Sequence, residues 1–115
     1  MTDTHIDREA LSVLREVMEE GYPELLDTFL ADSESRLGEL QKTSDAKVLS
    51  AVAHSFKGSA SNMGAVRLAA LCQELESEAK DKSPSEIARL VADISGEFAG
   101  VRPVYEDERQ HALTH

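Results

Sequence analysis

The sequence predicts an all-α fold: an antiparallel four-helix bundle with an additional short N-terminal helix. Three observations lead there. Apolar residues recur at helical spacing in five consecutive segments, with no strand-like alternation of useful length between them. Short polar connections join these segments, so each one-stripe helix must find its partner among its neighbours. Aromatic residues are only 4% with no Trp, which disfavours β-sandwiches and base-stacking platforms. With 41% hydrophobic and 30% charged residues, the 115-residue chain reads as one folded domain over 1–115. A chain of this length buries about two-thirds of its unfolded surface, enough for a core without disulfides or metal.

The first helix is expected over 7–20. Asp7 is its N-cap, Ile6 and Leu11 form a hydrophobic staple, and Gly21 ends it. The second runs over 23–42, opening on Pro23, with Leu26, Phe29, Leu30, Leu37 and Leu40 on one face. The third, 45–63, carries Leu49, Val52, Phe56, Ala60 and Met63 before Gly64, and Ser44 reads as its start. The fourth, 65–81, carries Leu68, Leu71, Cys72, Leu75 and Ala79. The fifth, 84–102, opens on a capping box between Ser83 and Glu86 and carries Ile87, Leu90, Val91, Ile94, Phe98 and Val101. Pro103 is expected to kink or end it, leaving 103–115 as a frayed tail. The short first helix is placed across one end of the other four.

Composition excludes several function classes. A net charge of −10 has the wrong sign for binding a phosphate backbone, so no nucleic-acid partner is expected. No apolar run approaches the roughly 20 residues needed to span a bilayer, and the N-terminus lacks the pattern of a signal peptide. The lone Cys72 rules out an internal disulfide and suits a reducing cytoplasm.

One residue does not fit the core. At about 100° per residue, His54 points roughly 160° away from the mean of the third helix's apolar stripe. Lys57 lies one turn on at i+3, and Gly58 follows at i+4. Gly in a helix interior costs about 1 kcal/mol relative to Ala, which is tolerated where something must approach the backbone closely. Small residues surround the histidine: Ser50, Ala51, Ser55, Ser59 and Ser61. From Ala46 to Gln73 there is no Asp or Glu, although an even spread would put about five there. Lys47, Lys57 and Arg67 give that window +3, so the rest of the chain carries −13. Acids have been cleared from around one histidine, as expected where it must carry or meet an anion.

The stretch from His54 through Lys57 and Gly58 to Gly64 resembles the signature of histidine-containing phosphotransfer (HPt) domains: H-x-x-K-G, then a Gly six residues later. The run from Leu68 to Glu76 resembles the helix that follows in that family, and the five-helix layout extends the match over most of the chain. The resemblance implies a phosphorelay intermediate. His54 would accept a phosphoryl group from an aspartyl phosphate on a receiver domain, such as that of a hybrid sensor kinase. It would then pass the group to a response-regulator receiver. Lys57 would offset the phosphoryl charge, and Gly58 would let the receiver come close. Some members orient the imidazole with a Gln on the following helix; the nearest equivalents are Glu76 and, a turn earlier, Gln73. The receiver would supply Mg²⁺, so no metal, cofactor or nucleotide site and no kinase activity are expected on this chain.

A receiver must dock on a partly apolar patch. The first helix offers a second stripe, Ile6, Ala10, Val13 and Val17, and Leu25 lies off its helix's core axis. Val13 and Val17 are expected to join Ser50, Ala51 and Ser61 in that surface. One complete bundle with an exposed imidazole implies a monomer. The alternative is an adaptor that binds a receiver without accepting phosphate. An enzyme using His54 as general base has little support, since no second catalytic group accompanies it. Ser44 and Lys47 formally meet S-x-x-K but lack the companion motifs of acyl-transfer enzymes. His111 and His115 have no third ligand nearby in sequence, and Cys72 falls on a core stripe.

Overall fold

Each helix begins where the sequence supplies a cap. The computed structural model describes residues 5–114, and within them every regular element is helical. Helix α1 spans Arg8–Met18, and the Asp7 carboxylate accepts from the Glu9 and Ala10 amides. A single 3-10 turn, Glu19–Gly21, leads into α2, Tyr22–Lys42. The reversal falls on Glu19, at φ 49°, rather than on Gly21, whose φ of −80° is ordinary. Helix α3, Ala46–Asn62, is capped by Asp45, which accepts from the Lys47 amide; Ser44 stands one residue outside. Helix α4 spans Val66–Glu78 and α5 spans Pro84–Leu113, with the Ser83–Glu86 capping box closed in both directions.

Helix α2 packs on α3 and α5, and α4 packs on the same two, so four helices close a square around one core. Short turns reverse the chain between them, giving the antiparallel bundle. Leu26, Leu49, Phe56, Leu68, Leu75 and Ile94 are buried at its centre, with Cys72 among them. Burial pushes the Cys72 thiol up to about 12, which holds it as an unreactive apolar filler. In α3 the buried stripe includes Ala53, while Val52 sits at its half-exposed edge.

The largest departure from expectation is α5. Residues 103–115 do not fray; the helix runs 30 residues, through Pro103 to Leu113. A helix of that length is about 45 Å long, which accounts for the 48 Å long axis of the molecule. Pro103 removes one amide donor, but its ring faces solvent while Val101 and Tyr105 on either side are buried. The Tyr105 hydroxyl donates to the Met63 carbonyl at 2.7 Å, and its ring meets Phe29 edge-on at 4.9 Å. One turn further, Tyr22 donates to Glu108 at 2.8 Å and Arg109 pairs with Asp27 at 2.5 Å. Interior Pro costs about 3 kcal/mol; a buried Tyr and Val together offset that.

Helix α3 ends in a Schellman motif: the Ala65 amide donates to Ala60 and the Gly64 amide to Ser61. Gly64 has φ +74°, and its carbonyl accepts from the Asp7 amide at 2.7 Å. A Cβ there would stand 2.9 Å from the Asp7 carbonyl oxygen, so the N-terminal segment crosses where only glycine fits. This contact fastens the start of α1 to the turn between α3 and α4, beside the buried Ile6 and Leu11. Gly64→Ala is therefore expected to cost about 1–3 kcal/mol, read as a lower urea midpoint at unchanged slope. A midpoint equal to the wild type's would show that the crossing adapts.

Candidate functional site: an exposed histidine on the α3–α4 face

The helical register of α3 turns Leu49, Ala53, Phe56 and Ala60 inward, which places His54 on the opposite face. Its side chain is 67% exposed. From α4, packed alongside, Glu76 reaches across: its Oε2 lies 2.8 Å from His54 Nδ1. A carboxylate can only accept, so this bond requires Nδ1 to carry the imidazole proton. In the neutral ring the lone pair then lies on Nε2, across from Glu76.

The other oxygen of Glu76 is screened from water, and the Lys57 ammonium lies 3.0 Å from it. Lys57 also donates to Gln73 Oε1 at 2.8 Å, and the Gln73 amide donates to Ser77. The Lys57 bond, followed by that from His54, holds the Glu76 carboxyl below the usual carboxylate range. The stability this pairing contributes is present above the ordinary carboxyl pKa and is lost as pH falls through the depressed one. One anion thus holds an imidazole and an ammonium at fixed places on a single face.

Of the two side chains expected near the imidazole, Glu76 touches it and Gln73 touches Lys57 instead. Lys57 is half-buried against α4 rather than free in solvent. An ideal Cβ at Gly58 meets nothing within 4 Å, so its missing side chain leaves open surface and not a packing site. Ala51 and Ser61 are exposed, but Ser50 is half-buried and donates to the Glu76 carbonyl at 3.1 Å. Ser50 therefore tethers α3 to α4 instead of offering itself for docking. On α1, Val13 and Val17 are 55% and 72% exposed, whereas Ile6 is buried and leaves the second stripe. Leu25 is half-buried against the core.

Sequence reading also passed over Arg36, on α2, which donates to Ser59 at 3.2 Å and so borders the other flank of α3. Its signal was faint, since Arg36 has an acid, Asp32, at i−4 that would have claimed it on helical spacing. An apolar cleft lined by Leu40, Leu49, Ile87 and Val91 among others contains none of His54, Lys57 or Glu76. His111 stands beside Asp107, and the His115 end of the considered histidine pair lies outside the described residues. No group of three or more His, Cys, Asp or Glu suited to a metal ion occurs among the described residues.

The bundle, with an exposed histidine bonded to a carboxylate and beside a lysine, has the arrangement expected of a histidine phosphotransfer protein. The Hpt domain family matches residues 24–100, more than half of the chain, and the chain belongs to that family. It is similar along nearly its whole length to a solved structure, histidine-containing phosphotransfer protein B (HptB) from Pseudomonas aeruginosa PAO1. The two share 46% identity with a TM-score of 0.89, over 96% of this chain and 98% of that one. No curated protein sequence matches the chain significantly. Its role is histidine phosphotransfer in a two-component phosphorelay. No helix among the described residues is long and apolar enough to cross a membrane.

Proposed function

We propose that His54 is the phosphoacceptor and that the chain shuttles phosphoryl groups between receiver domains. The observation that carries this reading is the 2.8 Å bond from Nδ1 to Glu76 on an exposed ring, which in the neutral imidazole turns the Nε2 lone pair outward. Its lone pair attacks the phosphorus of a receiver's aspartyl phosphate. As the N–P bond forms, the P–O bond breaks and its electron pair leaves with the aspartate carboxylate. Donation to a response regulator runs the same steps backward. The carrier then needs little besides exposure and orientation, since the receiver brings Mg²⁺ and the acidic pocket.

Lys57 offsets charge on the phosphoryl group, and its tether to Glu76 and Gln73 keeps the ammonium at the site. Gly58 admits the receiver, while Glu76 orients the ring. The exposed valines of α1, with Ala51 and Ser61, form the docking surface. The chain works as a monomer, since its acceptor face must stay open to two receivers in turn. A buried, unpaired thiol supports a reducing, cytoplasmic setting.

Incubation with a labelled phospho-receiver and Mg²⁺ tests the reading. The expected result is label on this chain that is acid-labile and base-stable, as a phosphoramidate is. Binding without transfer would leave an adaptor. In the same assay Val13→Asp and Val17→Asp are each expected to slow transfer about tenfold, because docking would desolvate the new carboxylate. Unchanged rates in folded variants would move the docking surface elsewhere.

A further inference from the structure

The carboxylate at His54 raises a question that the forward reaction leaves open: what happens to the Nδ1 proton once Nε2 carries phosphate. Attack by the neutral ring produces a phosphoimidazole still protonated at Nδ1, and so formally cationic. If that proton stays, the N–P bond breaks to release neutral imidazole. If it leaves, the same bond must expel an imidazolate, a far poorer leaving group. The acid lability and base stability of phosphoramidates express this difference.

We propose that Glu76 is a positioning residue for the donating half of the cycle: its negative charge retains the Nδ1 proton on phosphorylated His54, keeping the phosphoryl group transferable at neutral and mildly alkaline pH. This rests on His54 being the phosphoacceptor. The geometry is direct, with Oε2 at 2.8 Å from Nδ1 and the second oxygen bound to Lys57 at 3.0 Å. A fixed carboxylate beside a histidine stabilises its protonated form and cannot itself donate to Nδ1.

The neighbouring charges set the balance. Among the described elements, helix α3 packs on α2 and α4. From α4 comes Glu76; from α3 itself come Lys57 and, two turns back on the same face, Lys47. From α2, Arg36 reaches α3 through its bond to Ser59. The three cations oppose a second positive charge on the ring, so the carboxylate is the one group among these that favours it. Lys57 has a double part, since it repels the ring proton yet keeps Glu76 ionised.

Glu76→Gln separates charge from hydrogen bonding, because the amide oxygen can still accept from Nδ1–H. Wild type and Glu76→Gln, each labelled from a phospho-receiver, are mixed with an unlabelled receiver at pH 6 to 8.5. The ratio of wild-type to variant donation rates cancels the receiver's own pH dependence. That ratio is expected to rise about tenfold across the range, as loss of the opposite charge moves the midpoint for donation down by about one unit. Nitrogen-15 NMR of the phosphorylated proteins is expected to show Nδ1 losing its proton at lower pH in the variant. A ratio that is flat with pH, or identical nitrogen shifts, would overturn the proposal. Wild type that takes no label at all would instead overturn the phosphoacceptor reading, and this proposal with it.

Discussion

His54→Gln is expected to bring labelling from a phospho-receiver down to background. The variant keeps the helix, the size and the polarity of the side chain but offers no nucleophilic nitrogen lone pair. Because the imidazole is 67% exposed and off the core, stability should change by no more than about 0.5 kcal/mol. The loss would then be chemical and not structural, as an unchanged denaturation curve would show. Lys57→Ala serves as the graded comparison. It removes one charge-assisted contact to the transferring group, so a slowing of about tenfold is expected. Label that persists in His54→Gln would place the acceptor elsewhere. His5 and His111 are the other described histidines, both already beside carboxylates, of Glu97 and Asp107.

Tyr105→Ala should produce the largest loss of stability, about 3–5 kcal/mol. The ring is fully buried and meets Phe29 edge-on, while its hydroxyl reaches the Met63 carbonyl 42 residues away in sequence. Truncation opens a cavity at the point where α5 would otherwise end at Pro103, and it frees the last two turns to fray. For a domain whose total stability is about 5–15 kcal/mol, this approaches unfolding. Tyr105→Phe isolates the hydroxyl and is expected to cost about 1–2 kcal/mol, through a buried carbonyl left without its donor. Desolvation raises the phenol well above its ordinary value, so this bond does not titrate in the working pH range. Urea midpoints of the two variants measure both effects. A Tyr105→Ala midpoint close to wild type would mean that the helix beyond Pro103 contributes nothing to the core.

These two residues mark what could and could not be read along the chain. His54 was legible because exposure on a helix follows from angular position alone, and the acid-free window from Ala46 to Gln73 is a property of the sequence. The Asp7 and Ser83 caps were legible for the same reason, since each bonds amides within three residues. Tyr105 was not. Pro103 is a local stop signal, and its override depends on Phe29 and Met63, which no local pattern connects to it. The chain reversal at Glu19 escaped in the same way, because Gly21 two residues on is the stronger local signal.

The candidate site divides along the same line. Counting placed Glu76 and Gln73 on the helix that follows His54, but not which of them meets the imidazole. That choice depends on the rotation of α4 against α3, which is set by the buried packing of Leu68, Leu71, Cys72 and Leu75 on Phe56 and Ala60. The five helical segments, the Asp7 and Ser83 caps and the outward face of His54 were determined by the sequence alone, because each depends on neighbours within one or two turns. Only the tertiary structure decided that α5 outlasts its proline and that one carboxylate holds both His54 and Lys57. Those outcomes depend on side chains brought together from distant parts of the chain, where packing energies exceed the local preferences they oppose.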